Sequence, residues 1–242
     1  MNYKISISYR GTNYHGFAKQ NNVPTIEQTL IDVFKELFNI NVKIFGSGRT
    51  DRFVHAYEQI ISINHPNLNL ESNSLKNALN SKLPSDIKVN HVEIVDSNFH
   101  ARFFAKNKTY IYKLNFDSNF DVFNQDLIYQ YNKPIDFKKL NIFIEKIIGE
   151  HDFLSFSTSE IKDTIRTINS FEYVVENNLL IFSINGNGFL RNMVRMIIGC
   201  FLNYNEDIIG LKEIDDYFSN PKKGSVIRKE KGCGLYLYKV NY

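Results

Sequence analysis

Tryptophan is absent from this 242-residue chain, and cysteine occurs only at Cys200 and Cys233. Two lone thiols build neither a disulfide framework nor a thiolate metal site, and they point to a reducing compartment, the cytoplasm. No run reaches the ~18 consecutive apolar residues of a membrane-spanning helix. The opening Met1-Asn2-Tyr3-Lys4-Ile5-Ser6 alternates polar and apolar residues where a secretory leader would carry an apolar core. The six histidines (His15, His55, His65, His91, His100, His151) show no HExxH or similar ligand spacing, so no metal site is expected. The phosphate-cradling GxxxxGK[ST] and the GxSxG nucleophile elbow are both missing. An excess of one charge sign is missing too. Lys and Arg number 29 against 26 Asp and Glu, a net +3. That balance permits a nucleic-acid partner without demanding one.

What is present is a globular composition, 43% hydrophobic and 23% charged, with apolar residues enough for one large core or two small ones. Asn, Ile, Lys and Phe are abundant while Ala is scarce, as an AT-rich coding sequence would produce, so surface Lys and Asn carry little functional weight. Tyr3, Ile5, Ile7 and Tyr9 alternate with polar residues and predict a half-buried strand. Thr25-Ile26-Glu27-Gln28 has the form of a capping box, and Ile26, Leu30, Phe34, Leu37 and Phe38 follow helical spacing. A short strand is expected over 42–45, a loop over 46–53, a strand over 58–63, a helix from Ser72 or Ser74 to Leu83, and a strand over 87–95. The order is β-α-β-β-α-β.

The second half predicts a strand over 108–116, an amphipathic helix over 136–148, and a hairpin (165–175, 179–184) turning at Asn177-Asn178. An apolar helix over 188–202, a short helix over 211–218 and a strand over 234–240 follow. Two split βαβ units fit this order: an α+β fold of two ferredoxin-like (βαββαβ) halves. The junction is expected within 96–103, giving domains 1–98 and 99–242.

Three segments are candidates for chemistry. Gly46-Ser47-Gly48-Arg49-Thr50-Asp51-Arg52-Phe53-Val54-His55 is a polar loop between strands, with Asp51 between two arginines. It reads as a turn whose aspartate caps local N–H groups, or as a nucleophilic or general-base carboxylate kept charged by arginine. In the segment from Asn185 to Gly199, Arg191 and Arg195 lie on the polar edge of an apolar helix, where arginine takes an anionic partner or meets solvent. Phe99-His100-Ala101-Arg102-Phe103, with Lys106, Lys108 and Tyr110, interleaves basic and aromatic residues as single-stranded RNA sites do, or as a core strand with solvated lysines does.

Taken together these segments have a recognisable order. Gly48-Arg49-Thr50-Asp51-x-x-Val54-His55-Ala56 resembles the GRTDxGVHA motif of the tRNA pseudouridine synthase A family. Tyr9 to Phe17 resembles its YDGTxYxGW opening, and Phe99 to Phe103 and Lys108 to Tyr112 its FHARF and KxYxY segments. His151-Asp152-Phe153-x-Ser155-Phe156, Arg166-Thr167-Ile168, Gly188-Phe189-Leu190-x-x-Met193-Val194-Arg195 and Gly234-Leu235-Tyr236-Leu237 continue the series. The resemblance implies two ferredoxin-like halves joined around a central cleft. It implies a cytoplasmic homodimer, without metal or organic cofactor, that isomerises uridine to pseudouridine at nucleotides 38–40 of the tRNA anticodon arm. By the same resemblance Asp51 is the catalytic carboxylate, Tyr110 stacks on the base, Arg195 partners the aspartate, and Arg49 occupies or stabilises the space left by the extruded nucleotide. Arg102, Lys106, Lys222, Lys223 and Arg228 are expected phosphate contacts.

The chain departs from the pattern at Phe53, where the family has glycine, and at Arg10, Phe17 and Lys231-Gly232-Cys233. Phe53 is expected to pack into the core with an altered loop. The competing expectation is a catalytically silent tRNA-binding or RNA-chaperone relative. Asp51, Tyr110 and Arg195 together favour the enzyme, because binding alone does not require that triplet.

Overall fold

The N-terminal alternation becomes β1 (Asn2–Tyr9), whose Tyr3, Ile5 and Ile7 are fully buried. The computed structural model describes residues 1–118, 122–160 and 162–242, and among them builds ten strands and five α-helices in a mixed α/β arrangement. After β1 come α1 (Ile26–Phe38), β2 (Phe45–Gly46), β3 (His55–Asn64), α2 (Ser72–Asn80) and β4 (Ile87–Val95). β1 runs antiparallel between β3 and β4, with Ile5 opposite both Ile61 and Val92. Only half of the predicted capping box forms. The Thr25 hydroxyl accepts the Gln28 N–H at 3.3 Å, but the Gln28 amide donates outward to Asp32. The strand expected over 42–45 shrinks to the two residues of β2, paired with Ser62 and Ile61 of β3. β10 (Leu235–Asn241) lies parallel along β3 at His55 and Ala56.

The chain divides into two compact units, Met1–Lys106 with Tyr236–Tyr242, and Asn107–Leu235. This differs from a division at 98/99, and hydrogen bonds give the reason. The Asn2 amide donates to the carbonyls of Asp96 and Phe99, and Ala101 N–H donates to the Ser62 hydroxyl. Lys106 N–H donates to Asn241 O at 2.8 Å, and the Tyr242 hydroxyl to Ala101 O at 2.7 Å. Residues 96–106 are therefore bound to the first unit, and the last strand returns to it.

The second unit holds β5 (Asn107–Asn115), β6 (Tyr129–Gln130), α3 (Phe137–Ile147), β7 (Gly149–Asp152), β8 (Ile165–Glu176), β9 (Leu179–Gly186), α4 (Met193–Asn205) and α5 (Leu211–Ser219). Its strands run β5-β9-β8-β7, with β6 beside β5. β6 and β7 are too short to leave a periodic signal. Asn177 and Asn178 take φ of 47° and 67°, the left-handed pair that closes the β8–β9 hairpin. Asp136 caps α3 by accepting the N–H groups of Lys138 and Lys139.

The helix expected from Gly188 begins instead at Met193. Backbone groups just before it are committed elsewhere: Arg191 O accepts Thr158 N–H, and Arg191 N–H donates to the Ser159 hydroxyl. Asn192 enters the helix with φ 66°. Among the described residues no helix is long and apolar enough to cross a membrane.

Candidate active site

The loop carrying Asp51 is held by buried polar groups along its length. Ser47 N–H donates to Ile60 O at 2.7 Å and the Ser47 hydroxyl to Gln59 Oε1 at 2.5 Å, while the Gln59 amide donates to Gly48 O at 2.8 Å. The Tyr9 and Thr50 hydroxyls share a 2.8 Å bond, and Phe17 N–H donates to Thr50 O at 3.0 Å. Gly11 N–H donates to Nδ1 of buried His55 at 2.9 Å, so Nδ1 holds a lone pair and the ring proton resides on Nε2.

Two glycines permit this closeness. A Cβ on Gly11 would stand 2.1 Å from Val54 O; on Gly16, whose φ is +97°, it would stand 2.7 Å from Thr50 O. The expected turn is closed by the backbone, with Val54 N–H donating to Asp51 O at 3.2 Å. Arg49 and Arg52 are exposed and Asp51 is half-buried.

Phe53 does not pack into the core. The residue is 39% exposed, its ring centroid stands 4.4 Å from the Arg52 guanidinium, and its φ is +66°. The backbone has kept the left-handed conformation that a glycine adopts freely, at a cost of about 1–2 kcal/mol for a residue with a Cβ. The surrounding hydrogen bonds hold that conformation.

In the second unit Tyr110 lies on β5 opposite Ile184 of β9, buried, with its ring edge-on to Phe189 at 5.0 Å. Arg195 lies in the first turn of α4 and is half-buried. Its Nε donates to Glu230 O at 2.6 Å and its Nη1 to Asn192 Oδ1 at 3.2 Å, while Glu230 N–H donates back to Arg195 O. Arg191 belongs to the turn before the helix and is exposed.

The outlying basic residues differ in fate. Arg102, Lys106, Lys222 and Lys223 are exposed, Lys223 in an ion pair with Glu160. Arg228 turns inward, against the expectation of a phosphate contact: it donates to Glu206 at 2.6 Å and to Glu230 at 2.5 Å. Two carboxylates already satisfy the guanidinium, and a phosphate would have to displace them.

Burial alone would raise the Glu206 carboxyl, but hydrogen bonds from Lys133 and Arg228 more than offset it and pull the group down to about 2. Glu206 and Glu230 carry no periodic or motif signal. Gly11 and Gly16, which admit the loop, lie inside the motif-bearing segment Tyr9 to Phe17.

Residues 5–103 and 143–242 match a protein-family model described as tRNA pseudouridine synthase. A tRNA pseudouridine synthase A of Malacoplasma penetrans is 48% identical over 244 residues, covering 100% of both chains. The protein of that name from Ureaplasma parvum is 45% identical over 243 residues, and that from Dictyoglomus thermophilum 36% over 245, each again covering 100% of both chains.

Proposed function

The chain belongs to the tRNA pseudouridine synthase family, and from that premise we propose that the tRNA uridines it isomerises lie in the anticodon arm, at nucleotides 38–40. The observation that carries the catalytic part of this reading is the clamped loop with Asp51 at its turn, inside the matched residues 5–103. Isomerisation breaks the bond from N1 to C1′ and joins C5 to C1′; the C5 hydrogen leaves and N1 gains a proton. No net oxidation occurs, so the reaction as proposed needs no redox cofactor.

Asp51 supplies the carboxylate that attacks ribose or base, or accepts the C5 proton. Tyr110 offers its ring to the extruded base, whose unstacking costs a few kcal/mol. Arg195, already oriented by Glu230 O and Asn192, supplies the positive charge for a carboxylate. Arg49 is exposed beside Asp51 and takes the space that the base vacates. Arg102, Lys106, Lys222 and Lys223 meet phosphates, which makes binding salt-dependent. We also infer a ferredoxin-like plan for each half, supported by the strand order β4-β1-β3-β2 in the first unit and β5-β9-β8 in the second. A cytoplasmic homodimer completes the proposal.

The test is tritium release from tRNA transcripts labelled at uridine C5, with label confined in turn to nucleotides 38, 39 and 40. Wild type is expected to release tritium at one or more of these positions. Asp51→Ala should fall below about a thousandth of that rate while binding tRNA almost unchanged. Release by both proteins would remove Asp51 from the chemistry. Binding without release by either would make the chain a silent RNA binder.

A further inference from the structure

Phe53 combines three features that the fold does not explain by packing. Its backbone stands in the left-handed region at φ +66°. The residue is 39% exposed, so the strain is not offset by full burial of an aromatic side chain. The Arg52 guanidinium lies 4.4 Å from the ring centroid, giving the ring a cationic neighbour. Gly16 packs closely against this turn, since a Cβ there would meet Asp51 C at 3.2 Å and Arg52 N at 3.3 Å.

We propose that the face formed by Phe53 and Arg52 is a stacking platform for an unpaired base next to the target uridine in the RNA substrate. The proposal rests on the assignment of Asp51, two residues away, as the catalytic carboxylate. Drawing a uridine out of a stack leaves its neighbours with an uncovered face. A rigid ring at the catalytic turn covers such a face, and ring stacking tolerates any base. The surrounding charge selects the occupant: Arg49 and Arg52 are both exposed on this loop, and a nucleotide brings its own phosphates to them. A second copy of this chain, itself at net +3, fits that charge poorly. Phe53 is thus a positioning residue for the RNA.

The experiment measures kcat and KM for wild type, Phe53→Trp, Phe53→Leu and Phe53→Gly on anticodon-arm RNA. In parallel, 2-aminopurine placed on either side of the target uridine reports stacking through fluorescence quenching. Wild type and Phe53→Trp should quench and share a KM. Phe53→Leu and Phe53→Gly should raise KM about tenfold and lose the quenching, with kcat within about twofold. The melting temperature of Phe53→Gly should hold or rise, because glycine relieves the left-handed strain, so its KM defect is not unfolding. Asp51→Ala should still quench. Unchanged KM and quenching in Phe53→Leu and Phe53→Gly overturn the platform while leaving Asp51 intact. A fall in kcat that tracks the melting temperature assigns Phe53 a structural role and also overturns it. An inactive wild type defeats the catalytic assignment first, and the platform with it.

Discussion

A methyl group on Gly11 would stand 2.1 Å from Val54 O and 2.8 Å from its carbonyl carbon, and neither atom can swing aside as a side chain would. Gly11→Ala must push the turn that carries Asp51. The expected loss of stability is about 1–3 kcal/mol. With Asp51 assigned as the catalytic carboxylate, the expected loss of kcat/KM is on the order of a hundredfold, because catalysis is sensitive to displacements near 1 Å. Thermal melting and tritium release on the same sample check the pair of effects. Phe53 shows where residue-level reasoning misled. Steric preference alone argued for a rebuilt loop and a buried ring, but His55, Thr50 and Phe17 hold the backbone, and the left-handed conformation persists at Phe53.

At the scale of elements, α4 is anchored at both ends by charge. Arg195 in its first turn binds the backbone at Glu230, and Glu206 at its C-terminal end receives Lys133 and Arg228. Gly199 lets the segment at Arg228 touch the helix, since a methyl group there would stand only 2.2 Å from Arg228 O. Because the folded Glu206 carboxyl titrates near 2 against an ordinary 4.5, its stabilisation is fully present above pH 4.5 and is lost as pH falls through 2. Glu206→Gln should cost about 1–2 kcal/mol at neutral pH. Chemical denaturation at several pH values should show the two proteins converging toward pH 2. A constant difference across that window would remove the charge from the explanation.

At the scale of the molecule, the first unit is discontinuous in sequence: the chain leaves it after Lys106 and returns at Tyr236. Deleting 236–242 removes the partners of Lys106 N–H, Ala101 O and Glu58, together with buried Leu237 and Val240. The truncated chain should melt on the order of 10 °C lower. Hydrogen exchange should locate the loss in β3 and residues 101–106. Equal protection there in both chains would contradict the role given to the last strand.

The sequence by itself determined the elements whose cause is local. The alternation of Tyr3, Ile5, Ile7 and Tyr9 made β1; Asp136 capped α3; Asn177-Asn178 closed a hairpin; and ordered motifs carried the family. Each depends on residues a few positions apart, and short-range spacing records such dependence. Tertiary structure alone decided that 96–106 and 236–242 join one unit, that α4 starts at Met193, that Arg228 turns inward, and that Phe53 keeps a left-handed backbone. In each case at least one deciding partner lies far along the chain or is a backbone group. Hydrogen bonding and close packing between distant segments leave no periodic trace in either one.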